Sequence, residues 1–328
     1  MTVGSSTSIS VVVPVYNSES TLEELVSRLL ETLSGYEVEV ILVNDGSVDA
    51  SWSKITELAG KNPPVRGLDL ARNFGQHNAL LAGIRAATGE IIVTLDDDLQ
   101  NPPEEIPKLL ERLDAADVVY GTPIERKYAF LRDVATRLVR TSLRVPMGAR
   151  VAAWVGPFRA FRTELRYAFD NFGGPDVSID VLLSWGTSRF AAVPVAHVER
   201  GVGQSSYSFG KLSSLALTML TGFSTRPLRI ASLLGLTSTL FGVLVLIYVF
   251  VRLIVDGNPV PGFPFLASLV AIFSGAQLLT LGIIGEYLGR VHARTMDRPP
   301  YAVRREIGGR GATQSVFAGS DPAASDAH

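Results

Sequence analysis

The feature that most constrains the fold of this chain is an apolar run that ends abruptly in acidic residues. Residues 91–95 are apolar except for Thr94, and Asp96, Asp97 and Asp98 follow directly. Such a run is typical of a buried strand, and open α/β sheets bind their ligands at the carboxyl ends of the strands. Clustered carboxylates repel one another unless a cation neutralises them, and Mg²⁺ prefers one or two carboxylates plus substrate phosphate oxygens. The run alone leaves two interpretations open, a metal-binding edge of a sheet or an acidic, solvated loop.

Similar short runs are repeated along the first two hundred residues. Residues 11–13, 38–43 and 118–120 are apolar and predict further strands. Between the first two, residues 21–33 carry apolar side chains at helical spacing, with Ser20 or Thr21 available as the cap. Strand, helix and strand in repetition predict an α/β fold with a mostly parallel, Rossmann-like sheet covered by helices.

Two long apolar runs near the C-terminus differ in kind from the short ones. Residues 228–251 contain one charge, Arg229, and residues 263–281 contain none. Crossing a hydrocarbon core takes about 20 apolar residues of helix, so the runs predict a transmembrane hairpin; two buried core helices are the alternative. The connecting loop holds one Arg and one Asp, whereas Lys and Arg flank the outer ends. By the positive-inside rule, the large N-terminal part is cytoplasmic.

Composition narrows the classes of function. The chain has 328 residues, is 47% hydrophobic and has a mean hydropathy of +0.25, which is high for a wholly soluble protein. A net charge of −2 supplies no basic field for nucleic acid, which we exclude as a partner. The absence of cysteine removes disulfides and thiolate chemistry. The polar residues 1–10 do not resemble a signal peptide.

These patterns divide the chain into five parts. We expect a catalytic domain over 1–207, a juxtamembrane amphipathic helix over 208–227, membrane helices over 228–255 and 263–289, and a cytoplasmic tail over 290–328 that is disordered at its end. A helix packed on the catalytic domain is the alternative for the second part. Small residues in the second membrane helix would permit close helix packing, which leaves a homo-oligomer open; they are Gly275, Gly282, Gly285 and Gly289.

Several short motifs together resemble one enzyme family. Residues 13–19 (VPVYNSE), 43–49 (VNDGSVD) and 96–100 (DDDLQ) resemble family 2 glycosyltransferases of GT-A fold. Residues 72–75 (RNFG) and 98–104 (DLQNPPE) are similar to the polyprenyl-phosphate branch, which includes dolichol-phosphate mannose synthase and bacterial undecaprenyl-phosphate glucosyl- and aminoarabinosyltransferases. The motif GIIGEYLGR that begins at Gly282 resembles the members with two membrane spans.

The resemblance implies residues for the donor and for a metal ion. The implied metal ligands, for Mg²⁺ or Mn²⁺, are Asp96, Asp98 and Gln100, of which the two aspartates are also catalytic. The implied nucleotide contacts are Pro14, Tyr16, Glu19 and Asp45. Residues 44–47 alone would equally predict a plain turn, since Asn, Asp and Gly dominate turns. Asp97 should point away from its neighbours, because adjacent side chains in an extended segment alternate. We interpret His77 as a surface or capping residue rather than a base.

The acceptor phosphate needs cations, and here the chain departs from the family. The implied acceptor-phosphate residues are Arg126, Arg132 and Ser205, with Arg200 as a further catalytic residue. A solvated basic helix face or attraction to anionic lipid is the alternative for the arginines. Family members often carry Asp where this chain has Pro157, and Lys where it has Ser206. Asp180 is predicted to be either a helix cap or a sugar contact.

The resemblance implies a membrane-anchored, inverting, metal-dependent glycosyltransferase of the bacterial inner membrane, with its catalytic domain in the cytoplasm. It would move a sugar from a nucleotide-sugar donor, UDP-glucose first and mannose or 4-amino-arabinose donors as alternatives, to undecaprenyl phosphate. A processive polysaccharide synthase should carry a Gln-x-x-Arg-Trp motif, which the sequence lacks. A non-catalytic scaffold with a degenerate transferase fold is the second alternative, suggested by Pro157 and Ser206.

Overall fold

The computed structural model describes residues 7–124, 149–174, 177–198, 226–256, 262–296, 299–308 and 314–315. The chain divides into two compact units. The first comprises residues 1–206 together with residues 298–328, and the second comprises residues 207–297. The chain therefore leaves the first unit once and returns to it after the second.

The described residues of the first unit form a sheet of nine strands. Its strands are β1 (Ser8–Val15), β2 (Glu37–Asn44), β3 (Val65–Leu70), β4 (Ile91–Thr94), β5 (Val118–Pro123), β6 (Arg159–Arg162), β7 (Phe190–Val195), β8 (Val303–Ile307) and β9 (Gln314–Ser315). They lie in the order β7-β5-β6-β4-β1-β2-β3-β8-β9. All four strands predicted from the apolar runs are present, and β4 leads directly into the three aspartates.

The centre of the sheet is parallel, as the sequence predicted. Strands β4, β1, β2 and β3 are parallel neighbours. Strand β6 runs antiparallel to both β4 and β5, and β8 runs antiparallel to β3. The parallel part places the carboxyl ends of β1, β2, β3 and β4 on one edge of the sheet, where the loops of interest emerge.

Helices cover both faces of the sheet. They are α1 (Leu22–Thr32), α2 (Ser51–Lys61), α3 (Gln76–Ala86), α4 (Ile106–Arg112), α5 (Ala149–Ala152) and α6 (Ile179–Gly186), with 3₁₀ turns at Pro103–Glu105 and Thr163–Ala168. Apolar residues of α1, α2 and α4 form the core on one face, and those of α3 and α6 form it on the other. Helix α1 confirms the periodicity prediction, but the Thr21 hydroxyl donates to the carbonyl of Ser18 (3.1 Å) instead of capping the helix.

The described residues of the second unit form two long helices. They are α7 (Arg226–Asp256, 31 residues) and α8 (Phe263–Thr295, 33 residues), so α8 continues beyond residue 289, where the sequence placed its end. The helices approach closely at Gly242, where an added Cβ would lie 2.6 Å from the ring of Phe273. Within the described residues, no helix combines the length and the hydropathy required of a membrane span.

A strand follows the second unit, in the segment predicted as tail. Strand β8 extends the sheet beyond β3, where Arg305 binds Asp69 (Nη2–Oδ2 2.6 Å) and Glu306 binds Arg66 (Oε1–Nη2 2.7 Å). The Arg305 guanidinium also lies 5.1 Å from the ring centre of Trp52. The apolar runs do not predict this strand, because its three central residues, Arg304, Arg305 and Glu306, are charged.

Candidate active site

The loops that follow the parallel strands contact one another at the carboxyl edge. The backbone N–H of Tyr16, after β1, donates to Asp97 Oδ2 (3.2 Å), after β4. Gln76, at the start of α3, donates from Nε2 to Asp96 Oδ1 (2.5 Å). Asp45, after β2, accepts from the backbone N–H of the loop that leads into α3. The segments predicted to hold nucleotide and metal therefore meet at one edge of the sheet.

The carboxylates after β4 point in different directions. Asp96 contacts α3 through Gln76, whereas Asp97 contacts the loop after β1, as strand alternation predicted. Asp98 Oδ1 accepts from the backbone N–H of Gln100 (3.1 Å), which closes a tight turn. Leu99, between them, has φ +57°, a left-handed conformation that costs a leucine about 1–2 kcal/mol. Burial raises the pKa of Asp97, and the neighbouring charge of Asp98 adds to that rise.

The segment after β4 carries several hard oxygen donors. Within the described residues, no group of three or more His, Cys, Asp or Glu side chains is placed to hold a metal ion. The candidate set is instead two carboxylates and one amide oxygen, from Asp96, Asp98 and Gln100. Oxygen donors suit Mg²⁺ and Mn²⁺, and Mg²⁺ sites commonly complete their coordination with substrate phosphate and water. The donor set therefore fits a divalent cation that also binds a diphosphate.

Asp45 holds the loop before α3. Its carboxylate oxygens accept from the backbone N–H of Phe74 (2.7 Å) and Gly75 (2.9 Å), and the residue is buried. Burial raises the pKa of Asp45, and the two hydrogen bonds oppose that rise. Gly46 beside it has φ +67°, and an added Cβ would lie 2.5 Å from the backbone nitrogen of Asn73. The nucleotide contact predicted for Asp45 remains a prediction beside this structural role.

The other predicted donor residues occupy different environments. Tyr16 is 49% exposed, so its ring can stack on a planar ligand. Glu19 accepts from the backbone N–H of Ala50 (2.8 Å) ahead of α2, and Pro14 lies inside β1. The sequence had not singled out Asn17, which has φ +55° and accepts from the N–H of Val48 (2.9 Å). Its place between Tyr16 and Ser18 in the motif was the available signal.

Near Asp96 lies a cluster of buried polar side chains that the sequence did not predict. Arg159 pairs with Asp180, which also accepts from the hydroxyl of Tyr120 (2.9 Å). His77 Nδ1 accepts from the backbone N–H of Ile179 (3.5 Å). Burial lowers the pKa of His77, the charge of Asp180 opposes this, and the charge of Arg159 adds to it. His77, which is partly exposed, therefore links α3 to α6.

The acceptor residues predicted from the sequence lie outside the described residues. These are Arg126, Arg132, Arg200 and Ser205, together with the departure at Ser206 and most of the predicted juxtamembrane helix. The second departure, Pro157, is described. Its carbonyl accepts from the hydroxyl of Thr94 (2.7 Å), so it lies beside the strand that ends in the aspartates.

Known proteins resemble this chain in sequence and in fold. The family profile "Glycosyl transferase family 2" matches residues 10–169. Undecaprenyl-phosphate 4-deoxy-4-formamido-L-arabinose transferases of Enterobacter sp. (strain 638) and Pectobacterium carotovorum (strain PC1) are 35% and 36% identical over 91% of this chain and 93% of theirs.

A solved structure shows the same type of fold. Glucosyl-3-phosphoglycerate synthase from Mycobacterium tuberculosis, in complex with Mn²⁺, UDP-glucose and phosphoglyceric acid, has a TM-score of 0.51 and 19% identity, covering 66% of this chain and 79% of that one. This likeness supports the predicted GT-A type of α/β fold. The family profile and the relatives that match nearly the whole chain place this protein in glycosyl transferase family 2, as a glycosyltransferase.

Proposed function

We propose that this protein transfers a sugar from a nucleotide-sugar donor to a polyprenyl phosphate, with inversion at the anomeric carbon, at the cytoplasmic face of a bacterial inner membrane. The observation that carries the proposal is the carboxylate turn at the carboxyl edge of β4, in a chain whose relatives act on undecaprenyl phosphate. The backbone of Tyr16 and, through Gln76, the segment held by Asp45 contact that turn, and we assign both to the donor.

The reaction is a single displacement. A phosphate oxygen of the acceptor attacks the anomeric carbon, the bond from that carbon to the donor diphosphate breaks, and the electron pair leaves with the nucleoside diphosphate. The second pKa of a phosphate monoester is about 6, so the acceptor is largely dianionic near neutral pH. Such a nucleophile needs no general base, which makes Pro157 compatible with activity.

Asp96, Asp98 and Gln100 would hold the divalent cation. When bound, that cation supplies Lewis-acid stabilisation of the charge that develops on the leaving diphosphate. Gln76 fixes one oxygen of Asp96, and the backbone N–H of Gln100 fixes one oxygen of Asp98. The chain's own contribution is to orient both carboxylates before the donor arrives.

The donor sugar is the least constrained part of the proposal. The resemblance of the C-terminal motif favours glucose, whereas the relatives are named for 4-deoxy-4-formamido-L-arabinose. Because those relatives match nearly the whole chain, we place the formamido sugar beside glucose as a leading candidate, with mannose behind them.

We further propose that α7 and α8 anchor the protein in the membrane. Helices of 31 and 33 residues extend about 46–50 Å, more than a hydrocarbon core of about 30 Å. Large apolar side chains along them are exposed, an arrangement that suits lipid contact better than water; they include Leu236, Leu240, Phe250, Leu278 and Leu288.

The test is transfer of radiolabel from a panel of nucleotide sugars into organic-extractable lipid. Membranes containing the protein receive undecaprenyl phosphate, with and without Mg²⁺ or Mn²⁺, and the donors are UDP-glucose, GDP-mannose and nucleotide-linked 4-deoxy-4-formamido-L-arabinose. We expect metal-dependent label from one donor. Asp98→Asn should abolish it, whereas Asp114→Asn, the same change at an exposed position after α4, should not.

Two outcomes would contradict the proposal. Lipid label that is unchanged by chelation or by Asp98→Asn would remove the metal role of the carboxylate turn. A folded, membrane-inserted protein that neither transfers label nor binds any nucleotide would favour the scaffold alternative.

A further inference from the structure

A row of polar side chains crosses three strands beneath the candidate site. Thr94 on β4, Arg159 on β6 and Tyr120 on β5 are register partners, so their side chains lie side by side on one face of the sheet. Arg159 Nε donates to the hydroxyl of Thr94 (2.9 Å). Arg159 and Tyr120 are almost completely buried. A charged group this far from water requires a partner.

Asp180 is that partner, and it is bound through one oxygen. Its Oδ1 accepts from Arg159 Nη1 and from the hydroxyl of Tyr120 (2.9 Å). The Asp180 side chain is only 6% exposed. Both of these hydrogen bonds go to Oδ1, so neither Arg159 nor Tyr120 binds the second oxygen, Oδ2. Each carboxylate oxygen can accept hydrogen bonds, so Oδ2 has acceptor capacity for a ligand.

The position of Asp180 relates it to the donor site. It lies in the first turn of α6, next to Ile179, whose N–H donates to His77 Nδ1 (3.5 Å). The residue before His77 is Gln76, which binds Asp96. Consecutive residues of α3 therefore hold the metal-site carboxylate on one side and the start of α6 on the other.

Electrostatics agree with this placement. Burial opposes the charge of Arg159, but the charges of Asp180 and Asp96 and the hydrogen bond to Asp180 raise its pKa. Arg159 is thus influenced by both carboxylates. Burial and the charge of Asp180 raise the pKa of Tyr120, which keeps its hydroxyl protonated as a donor.

We propose that Asp180 is a specificity-determining residue that accepts, through Oδ2, a hydrogen bond from an O–H or N–H group of the donor sugar. This inference rests on the proposed function, since it requires a nucleotide sugar at the carboxyl edge. Arg159 and Tyr120 hold the carboxylate rigidly, so it accepts a hydrogen bond without reorganising. A carboxylate only accepts, and it therefore selects sugars with a hydrogen-bond donor at the contacted position.

The test compares binding of a nucleotide sugar with binding of the free nucleoside diphosphate, by calorimetry on the full-length protein with Mn²⁺. The ligands are UDP-glucose, its 2-, 3-, 4- and 6-deoxy analogues, nucleotide-linked 4-deoxy-4-formamido-L-arabinose, and UDP. We expect the wild type to bind UDP-glucose more tightly than UDP. One of the deoxy analogues should bind about 10- to 100-fold more weakly than UDP-glucose. Asp180→Asn should remove that discrimination and leave UDP affinity within about 2-fold.

Two further variants keep the test decisive. Asp180→Asn leaves Arg159 without a counter-charge and could destabilise the fold. A triple variant therefore replaces the whole group by apolar side chains of similar size, a change that proteins often tolerate. Its substitutions are Tyr120→Phe, Arg159→Met and Asp180→Leu. The triple variant should likewise bind UDP with wild-type affinity, and it should bind the deoxy analogues as tightly as UDP-glucose. Asp170→Asn, an exposed aspartate beyond β6, is the matched control and should behave as the wild type.

The readouts separate this inference from the proposed function. If Asp180→Asn or the triple variant weakens the binding of UDP, UDP-glucose and every analogue by one common factor, Asp180 has a structural role and the inference is overturned. If Asp180→Asn and the triple variant both still discriminate among the analogues, another residue recognises the sugar and the inference is also overturned. If the wild type discriminates in binding but transfers no label to lipid, the proposed acceptor fails while the role of Asp180 stands.

Discussion

At the scale of single residues, the candidate site depends on backbone positions as much as on reactive side chains. Asn17 and Leu99 adopt left-handed conformations in the loops after β1 and β4, and Gly46 does so after β2. The sheet fixes the ends of all three loops, so the strain is held by the surrounding structure. The exposed ring of Tyr16 and the carboxylates of Asp96 and Asp98 are presented from these turns.

Gly46 gives the clearest prediction at this scale. In Gly46→Ala the new Cβ would lie 2.5 Å from the nitrogen of Asn73, and the backbone has φ +67°. We expect a loss of about 3 kcal/mol in the free energy of unfolding, measured by urea unfolding followed through tryptophan fluorescence. Gly60→Ala is the control, because Gly60 lies in α2 with nothing within 4 Å of its added Cβ. That change should stabilise by about 0.5–1 kcal/mol. Equal effects of the two changes would contradict the assigned strain.

Glu39 carries a prediction about pH. Burial opposes its ionisation, but hydrogen bonds from Ser10, Thr88 and Arg66 outweigh burial and lower its pKa. A carboxyl whose pKa is lower in the folded state stabilises the fold above its unfolded pKa, about 4.3 for Glu. That stability is lost as the pH falls through the folded pKa. We expect the unfolding free energy of the wild type to fall below about pH 5, and Glu39→Gln to show a shallower fall. Glu37→Gln, at an exposed position of the same strand, should keep the wild-type slope.

At the scale of elements, the strand that follows the second unit completes the sheet. Strand β8 covers the edge of β3 and binds it through Arg305 to Asp69 and Glu306 to Arg66. Asp69 is buried and also accepts from Asn44 (2.8 Å), which ends β2 next to Asp45. Strand β8 thereby supports the ends of β2 and β3, from which loops of the candidate site emerge.

Truncation tests this support. A chain that ends at Arg298 lacks β8, leaves Asp69 without its arginine and exposes the edge of β3, so we expect it to lose about 3 kcal/mol of unfolding free energy. A chain that ends at Gly308 keeps β8 and serves as the control. If both chains unfold at the same urea concentration, β8 does not stabilise the first unit, which holds the candidate active site and is called the catalytic unit below.

Local patterns predicted most of the elements, and long-range partners account for what they missed. The run at 91–95, the periodicity of α1 and the alternation that turns Asp97 away from Asp96 are properties of neighbouring residues. The reversed strand β6 and the added strand β8 depend on residues far apart in the chain. The pairing of Arg159 with Asp180 depends on β6 and α6 meeting over the sheet, so spacing along the sequence carried no signal for it.

At the scale of the whole molecule, the chain leaves the catalytic unit once and returns to it through β8. If α7 and α8 form a hairpin across the membrane, both connections to the catalytic unit must lie on the same side. The basic residues are distributed accordingly, because arginines border the outer ends of the helices whereas residues 252–262 hold one Arg and one Asp. An acceptor lipid would then meet the catalytic unit at the cytoplasmic leaflet, where nucleotide sugars are available.

The natural absence of cysteine makes this topology directly testable. Asn258→Cys places one thiol between the helices, and Ser53→Cys places one at an exposed position of α2. A membrane-impermeant maleimide should label the first thiol in intact cells with a permeabilised outer membrane, and the second only after the inner membrane is broken. This is the pattern expected if the basic flanks lie in the cytoplasm, as the positive-inside rule predicts. The reverse pattern would place the catalytic unit outside the cytoplasm, away from its proposed donor. Labelling of both thiols only after lysis would mean that the helices do not cross the membrane, and the acceptor would then have to reach the protein from the lipid surface.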